Sequence, residues 1–447
     1  MDTLRNQKTK LAEANKDILG FIGSFIDDKS FVETDAFMCS ENDVADAPGE
    51  GVVSGFATVK DTPVCLFATN PAVLKGSVGA LNAKKITRTI NNAVRMDKPL
   101  IAVWDSAGAR FAEGIECLEA YASILRAYTV AYGEVPVITV IKGNNFGLSS
   151  YVAGLSDFVI VCKDGKSATA SPLVISAKTG NAAVGTADDL MSRGIATNKC
   201  DSLRDTIVKM LGVFYGVATG DDPNRVCKGL KAGVSASAVI KEVFDKNSFF
   251  ALRDGYTKEV ITGFASLADV SVGVVAIDSS ADGGRLTADG CIKISEFLNT
   301  CENAEVPVVF LVDSVGTEIN ADDAAIMREM SNLIYRVNTL DSDIFSVVTG
   351  KAIGSAYTSL VAPAEYKIAW DTAEVGTLES EAAARLLYAD EIKSAKNKDK
   401  AAQKLAAAYS EENCSALTIA RSGYFDNVIE PNHTRSYLVA ALLAHVE

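Results

Sequence analysis

The sequence predicts an α/β protein built from two tandem domains that descend from one duplicated unit. Residues 51–170 and 259–375 carry one set of motifs twice, in the same order. The spacing is also kept: Gly55 and Gly263, like Asp105 and Asp313, lie 208 positions apart (263 − 55; 313 − 105). Within each copy, short β-branched runs alternate with longer stretches whose apolar residues recur at helical spacing, which is the pattern of strands joined by crossover helices.

Taken in order, the first copy reads GVVSGFATV, KKITRTI, PLIAVWDSAGA, VPVITVIKGNNFGLSSYVA and SDFVIV. The second reads EVITGFASL, IKISEFL, PVVFLVDSVGT, IFSVVTGKAIGSAYTSLVA and AEYKIA. PLIAVWD and VPVITVIKG are apolar throughout rather than alternating, so they predict buried strands, with a helix across 110–134 between them. PVVFLVD, DIFSVVTG and the helical stretch 321–340 repeat that plan, and strand–helix–strand units favour parallel pairing. A looser pair, DDKSFVETDAF at 27–37 and DKNSFFALRDGY at 245–256, extends the duplication toward the start of each half. The polar, turn-rich segment near 218–242 marks the boundary, giving domains 1–230 and 231–447. The charged stretch at 393–413 predicts an exposed helix.

A net charge of −14 and the lack of any basic block argue against a nucleic-acid partner, because a phosphate backbone calls for a basic face. Nine cysteines without a CxxC pair, together with a polar N-terminus, suggest reduced thiols in a cytoplasmic protein and no zinc ribbon or other metal site. No apolar run approaches the ~18 residues that a membrane span needs.

Only two histidines occur, His433 and His445, both outside the repeated motifs, so a duplicated histidine acid–base machine is excluded. What recurs is strand ends followed by small residues: Ser106 to Ala109 and Gly143 to Ser150, then Ser314 to Gly316 and Gly350 to Ala356. Such junctions bring backbone close to a ligand and leave N–H groups free to meet an anion. In the first half the donors of an oxyanion hole fall near Ala107, Gly108, Gly147 and Leu148. Turns and helix packing alone would explain one such motif, but its repetition favours ligand binding. Two holes suit a carboxyl transfer, in which an enolate forms on a thioester while charge develops on the oxygen of a carrier urea.

The motifs resemble the carboxyltransferase component of biotin-dependent acyl-CoA carboxylases, transcarboxylase and sodium-pumping acyl-CoA decarboxylases. DSAGARFAEG at 105–114 is similar to the family's DSGGARxxEG, KGSVGALNAKKI at 75–86 to GGSLGxxHAxKI, and GKAIGSAYTSL at 350–360 to RKAYGGAYDVM. IAWDTAEVGTLE at 368–379 and GYFDNVIEPNHTR at 423–435 extend the likeness to nearly the whole chain. The resemblance implies two crotonase-like ββα-superhelix domains, the N-terminal one for acyl-CoA and the C-terminal one for carboxybiotin. It implies an active site shared between subunits, and hence a homodimer or hexamer. It places oxyanion donors at Ala107 and Gly108 in the first half and at Ser355 and Ala356 in the second, with Gly143, Gly147, Leu148 and Gly354 in the ligand loops. Arg110 stands in the motif as the candidate for CoA phosphates, with an ion pair to Glu113 or Glu116 as its alternative. Ala107, Leu148, Asn82, Ile353 and Ser355 depart from the family pattern.

No AMKM-like biotinylation site or nucleotide motif is present, so biotin is expected on a separate carrier protein and any ATP-driven step on other subunits; the likeness to sodium-pumping decarboxylases leaves open a place at the edge of a membrane decarboxylase complex. Two other readings stay open. One is a biotin-independent hydratase, isomerase or hydrolase of crotonase type using Glu113 or Glu116. The other is a scaffold without catalysis.

Overall fold

The computed structural model describes residues 4–40, 47–216, 218–320 and 323–445. The chain divides into two compact units, Met1–Phe214 and Tyr215–Glu447. In the first, eight strands form one sheet: β1 (Val32–Thr34), β2 (Val52–Val59), β3 (Thr62–Thr69), β4 (Leu100–Ser106), β5 (Val137–Phe146), β6 (Phe158–Val161), β7 (Lys166–Ala168) and β8 (Asn198–Lys199). Their order is β1-β2-β3-β4-β5-β6-β8, with β7 joined to the end of β5. The second unit repeats this with β9 (Phe250–Leu252), β10 (Val260–Leu267), β11 (Val270–Ile277), β12 (Val308–Ser314), β13 (Ile344–Ile353), β14 (Tyr366–Trp370), β15 (Glu374–Gly376) and β16 (Asn427–Ile429). Its order is β9-β10-β11-β12-β13-β14-β16, with β15 on β13. The α/β duplication read from the motifs is therefore present strand for strand.

The parallel pairing expected of the crossover units holds from β3 through β8 and from β11 through β16. The first strands of each sheet instead pair antiparallel. The hairpins turn through two residues, Lys60–Asp61 and Ala268–Asp269, all four with positive φ, the primed geometry that suits strand twist. Neither pair is Asn-Gly, and each turn is held from outside. Asp27 accepts the Lys60 and Asp61 N–H groups, both at 2.9 Å, and Asp245 accepts those of Ala268 and Asp269, both at 3.1 Å. An arginine near the end of each unit fixes that carboxylate: Arg204 on Asp27 at 2.5 Å and Arg435 on Asp245 at 2.6 Å.

Helix Ala80–Met96 buries Ile86, Ile90 and Ala93 on one face against helix Ile115–Ala131, which supplies Tyr121, Ile124 and Tyr128. Each such aliphatic side chain contributes roughly 1.5–3 kcal/mol. Trp104 sits beneath them with no exposure, edge-on to Phe67 at 5.4 Å, and its indole N–H donates to the Tyr128 hydroxyl at 3.0 Å. The segment expected as an exposed helix forms helices Ala389–Ser394 and Lys398–Tyr409, the latter burying Ala402 alone. No helix among the described residues is long and apolar enough to cross a membrane.

Candidate functional site

Each unit builds the same junction where its central strand stops. After β4, Gly108 takes φ +104°, and after β12, Gly316 takes φ +104°, a left-handed backbone that glycine adopts without strain. A Cβ on Gly108 would stand 3.2 Å from the Phe146 carbonyl oxygen, and one on Gly316 would stand 3.3 Å from that of Ile353. The loops therefore lie against the ends of β5 and β13. This brings Ala107, Gly108, Gly147 and Leu148 together, and likewise Gly316, Gly354 and Ser355.

The N–H groups of these residues are not equally available. Ala107 N–H donates to the Lys75 carbonyl at 3.1 Å, and Gly108 N–H to Ser106 Oγ at 3.1 Å. The second unit repeats both bonds, Val315 to Gly283 at 3.1 Å and Gly316 to Ser314 Oγ at 3.2 Å. A ligand oxygen at these loops would share the donor with an internal acceptor. The turn starts differ. Gly147 and Leu148 open a 3₁₀ turn spanning Gly147–Leu155, and Ser355 and Ala356 open helix Ser355–Leu360. The first N–H groups of such turns have no partner inside the turn. Gly354 N–H donates instead to the Gly376 carbonyl at 2.8 Å, so Gly354 sets the direction of the chain into the helix.

Gly143 and Gly350 leave room for an aspartate carboxylate. Asp105, 8% exposed, accepts the Asn144 N–H at 3.1 Å and the Lys142 ammonium at 2.8 Å. Asp313 accepts the Lys351 N–H at 2.8 Å and the Ser279 hydroxyl at 2.5 Å. A Cβ on Gly143 or Gly350 would overlap the carboxylate. The register of each central strand pair shifts at this point, between Trp104 and Ser106 and between Val312 and Ser314. The aspartate thus holds a bulge that aims the strand end into the turn-start donors. Motif reading did not assign this role to Asp105 and Asp313. Its signal was the repetition of both Asp and Gly at matched positions.

Of the two roles open to Arg110, the structure shows the ion pair with Glu113 and adds one with Glu50. Four of its five N–H donors are committed within the chain: Nη1 to Glu50 at 2.8 Å and Glu113 at 3.0 Å, Nη2 to the Ser77 carbonyl at 3.2 Å, and Nε to Ser77 Oγ at 3.4 Å. It neutralises the fully buried Glu50. Burial pushes the Glu50 carboxyl up, and hydrogen bonds from Ser40 and Arg110 more than reverse this, leaving it below the usual range. Glu113 also accepts the Ala80 N–H at 2.6 Å, so it caps a helix start and is not a free base. Lys85 is fully buried, donates to the Val52 carbonyl at 2.5 Å, and is pushed down to about 8 by desolvation. Lys178 stays exposed, on helix Pro172–Thr179.

The second unit carries an open cleft of about 490 Å³ beside its junction. Arg285, Asp313, Val315, Lys351, Glu374 and Glu379 are among its lining residues. Glu379 bridges Arg285 at 3.1 Å and Lys351 at 3.5 Å.

Residues 11–198 and 221–447 match the carboxyl transferase domain family. The carboxyltransferase subunit of propionyl-CoA carboxylase from Haloferax mediterranei is 30% identical over 94% of this chain and 88% of its own length. Methylmalonyl-CoA decarboxylase subunit alpha from Veillonella parvula is also 30% identical, over 94% of this chain and 88% of its own. Among solved structures, the transcarboxylase 12S hexamer with methylmalonyl-coenzyme A and methylmalonic acid bound superposes with a TM-score of 0.90 at 26% identity. That match covers 100% of this chain and 96% of the other. With motifs, duplicated junction and full-length likeness in agreement, the chain belongs to the carboxyl transferase domain family.

Proposed function

We propose that this protein is an acyl-CoA carboxyltransferase that moves CO2 between biotin on a separate carrier protein and the α-carbon of a short acyl-CoA. The carrying observation is the duplicated junction: each unit presents turn-start N–H donors beside a glycine loop, and neither junction contains a histidine. In the first unit, Gly147 and Leu148 N–H receive the thioester oxygen as it gains enolate charge, with Ala107 and Gly108 as sharing donors. In the second, Ser355 and Ala356 N–H receive the urea oxygen of biotin as it gains negative charge. Biotin, when bound, supplies or accepts the carboxyl group. The chain's own residues orient both acceptors and stabilise charge, and the backbone does so without a titrating side chain.

The partners follow from this reading: acyl-CoA, a biotin carrier protein, and further copies of the chain in a homodimer or hexamer. The relatives named for decarboxylation and for carboxylation fit both directions of the same transfer. The hydratase-type alternative loses its first base, because Glu113 is tied to Arg110 and to a helix start.

The test incubates the full chain with methylmalonyl-CoA or malonyl-CoA, with and without free biotin, and follows loss of the ester carboxyl group. Biotin-dependent loss is expected. Turnover indifferent to biotin would favour the hydratase-type reading. Absent turnover with no calorimetric binding of acetyl-, propionyl- or crotonyl-CoA would favour a scaffold. Light scattering of the purified protein should give an assembly of two or six chains, and a monomer at micromolar concentration would overturn the shared-site part.

A further inference from the structure

Six of the nine cysteines are buried, and burial pushes thiols such as Cys65 to about 11 and Cys291 to about 12, which keeps them unreactive. Cys162 and Cys200 are partly exposed and sit side by side. β6 and β8 pair in parallel, with Ile160 opposite Asn198 and Val161 opposite Lys199. Cys162 and Cys200 are the next residue on each strand, and the ladder reaches them, since Cys200 N–H donates to the Val161 carbonyl at 2.9 Å. Residues opposite each other in register project to the same face. Neighbouring strands stand about 4.8 Å apart, within the roughly 4.4–6.8 Å between Cα atoms that a disulfide spans.

We propose that Cys162 and Cys200 form a reversible dithiol–disulfide site, oxidised by hydroperoxides, that staples the base of the excursion 163–199. The chain leaves the sheet at Cys162, turns through Gly165, whose N–H donates to the Cys162 carbonyl at 2.8 Å, and adds β7 alongside Asn144–Phe146. It then forms helices Pro172–Thr179 and Ala187–Ser192 and re-enters the sheet as β8. A link between the two sulfurs closes that path one strand away from the Gly147–Leu148 turn.

The two thiols divide the chemistry. Their mutual hydrogen bond holds Cys162 protonated and pulls the Cys200 thiol down to about 7, so Cys200 carries the thiolate. The Cys200 thiolate attacks the terminal oxygen of a hydroperoxide. The O–O bond breaks, the alkoxide leaves and takes a proton as alcohol, and Cys200 becomes a sulfenic acid. The Cys162 sulfur then attacks the Cys200 sulfur; an S–S bond forms, and hydroxide departs with the Cys162 proton as water. Two thiols and one hydroperoxide thus give one disulfide, one alcohol and one water, with the peroxide reduced by two electrons. Thiol–disulfide exchange with an external dithiol returns the pair to the reduced form.

The full-length protein is treated with tert-butyl hydroperoxide, quenched, denatured, and its free thiols counted, with peptide mapping of the product. Thiols should fall from nine to seven, with a cross-linked peptide joining Cys162 and Cys200 and full recovery on adding dithiothreitol. C162S and C200S, confirmed as folded by circular dichroism, should each yield no intramolecular cross-link. Nine thiols after treatment, a link to any other cysteine, or loss of Cys200 to sulfinic acid without a link would overturn the proposal.

Discussion

Gly143→Ala tests whether the aspartate clamp, rather than glycine flexibility, explains the matched glycines. Gly143 lies outside the left-handed region, so alanine meets no backbone penalty there. The obstacle is Asp105: even the farther carboxylate oxygen, Oδ2, would lie 2.5 Å from the new Cβ. Ordinary contact is about 3.5 Å, so the carboxylate must withdraw by about 1 Å. That breaks the Asn144 N–H and Lys142 bonds. The Asn144 bond to a charged acceptor is worth about 1.5–3 kcal/mol, the partly exposed Lys142 pair at most about 1 kcal/mol, and overpacking costs about 1–3 kcal/mol, so Gly143→Ala should destabilise the first unit by about 3–5 kcal/mol, the middle of the summed range. Asp105→Ala loses the same bonds without the overlap, about 2–3 kcal/mol.

In the double variant the Cβ enters the space left by the carboxylate, and the bonds are lost once. The pair should cost no more than about 3 kcal/mol, a coupling of roughly 3 kcal/mol relative to the sum. The protein has two tryptophans, Trp104 in the first unit and Trp370 in the second. In a Trp370→Phe background, urea unfolding followed by fluorescence therefore reports the residue next to Asp105. Additivity within about 0.5 kcal/mol, the usual behaviour of uncoupled sites, would refute the clamp.

Arg435→Met should lower the stability of the second unit by about 3–5 kcal/mol, because it strands the buried Asp245 carboxylate; Trp370 fluorescence in urea measures this. Burial pushes the Asp245 carboxyl up, but hydrogen bonds from Thr219 and Arg435 prevail and leave it at about 2. A depressed carboxyl contributes stability above the ordinary value near 3.8 that is lost as pH falls through about 2. Urea midpoints should therefore drop between about pH 4.5 and 2, and Asp245→Asn should flatten that dependence. Ser355→Pro deletes one turn-start N–H at a helix position that tolerates proline; biotin-dependent turnover should fall about 10²–10³-fold while calorimetric acyl-CoA affinity holds. Arg110→Gln should lower the melting temperature by leaving Glu50 unpaired, with the Kd for acyl-CoA changed less than twofold by calorimetry.

The architecture was readable because the buried strands are continuous apolar runs and the duplication printed each element twice. The antiparallel hairpins were not, since Lys60–Asp61 carries no turn signature of its own; its geometry is imposed by Asp27, and in the other unit by Asp245. Those aspartates do open the loosely repeated segments 27–37 and 245–256, so the trace was present without its meaning. Position along the motif located Ala107 and Gly108 but not the state of their N–H groups: Ala107 donates to Lys75, a residue brought in by a different loop, and Gly108 to the hydroxyl of Ser106. For Arg110 the sequence offered the ion pair with Glu113 but not the one with Glu50. Its partner Glu113 is one helical turn away, whereas Glu50 lies sixty positions upstream and is visible only in the fold.

The matched positions sort by the kind of work they do. Where function lies in a missing Cβ, at Gly108 and Gly316 or Gly143 and Gly350, the two units are identical. The same holds where a particular side chain acts, at Asp105 and Asp313 or Ser106 and Ser314. Where the backbone N–H acts, the residue is free to change: Ala107 corresponds to Val315, and Leu148 to Ser355. Ala107 and Val315 make equivalent bonds, each at 3.1 Å, despite different side chains. A hole built from peptide groups can therefore be copied and its lining altered without losing a donor. Leu148 packs against the apolar core of the first unit, while the Ser355 hydroxyl lies beside Gly316. The same backbone junction thus carries a side chain packed on the core in one unit and a hydroxyl beside the glycine loop in the other.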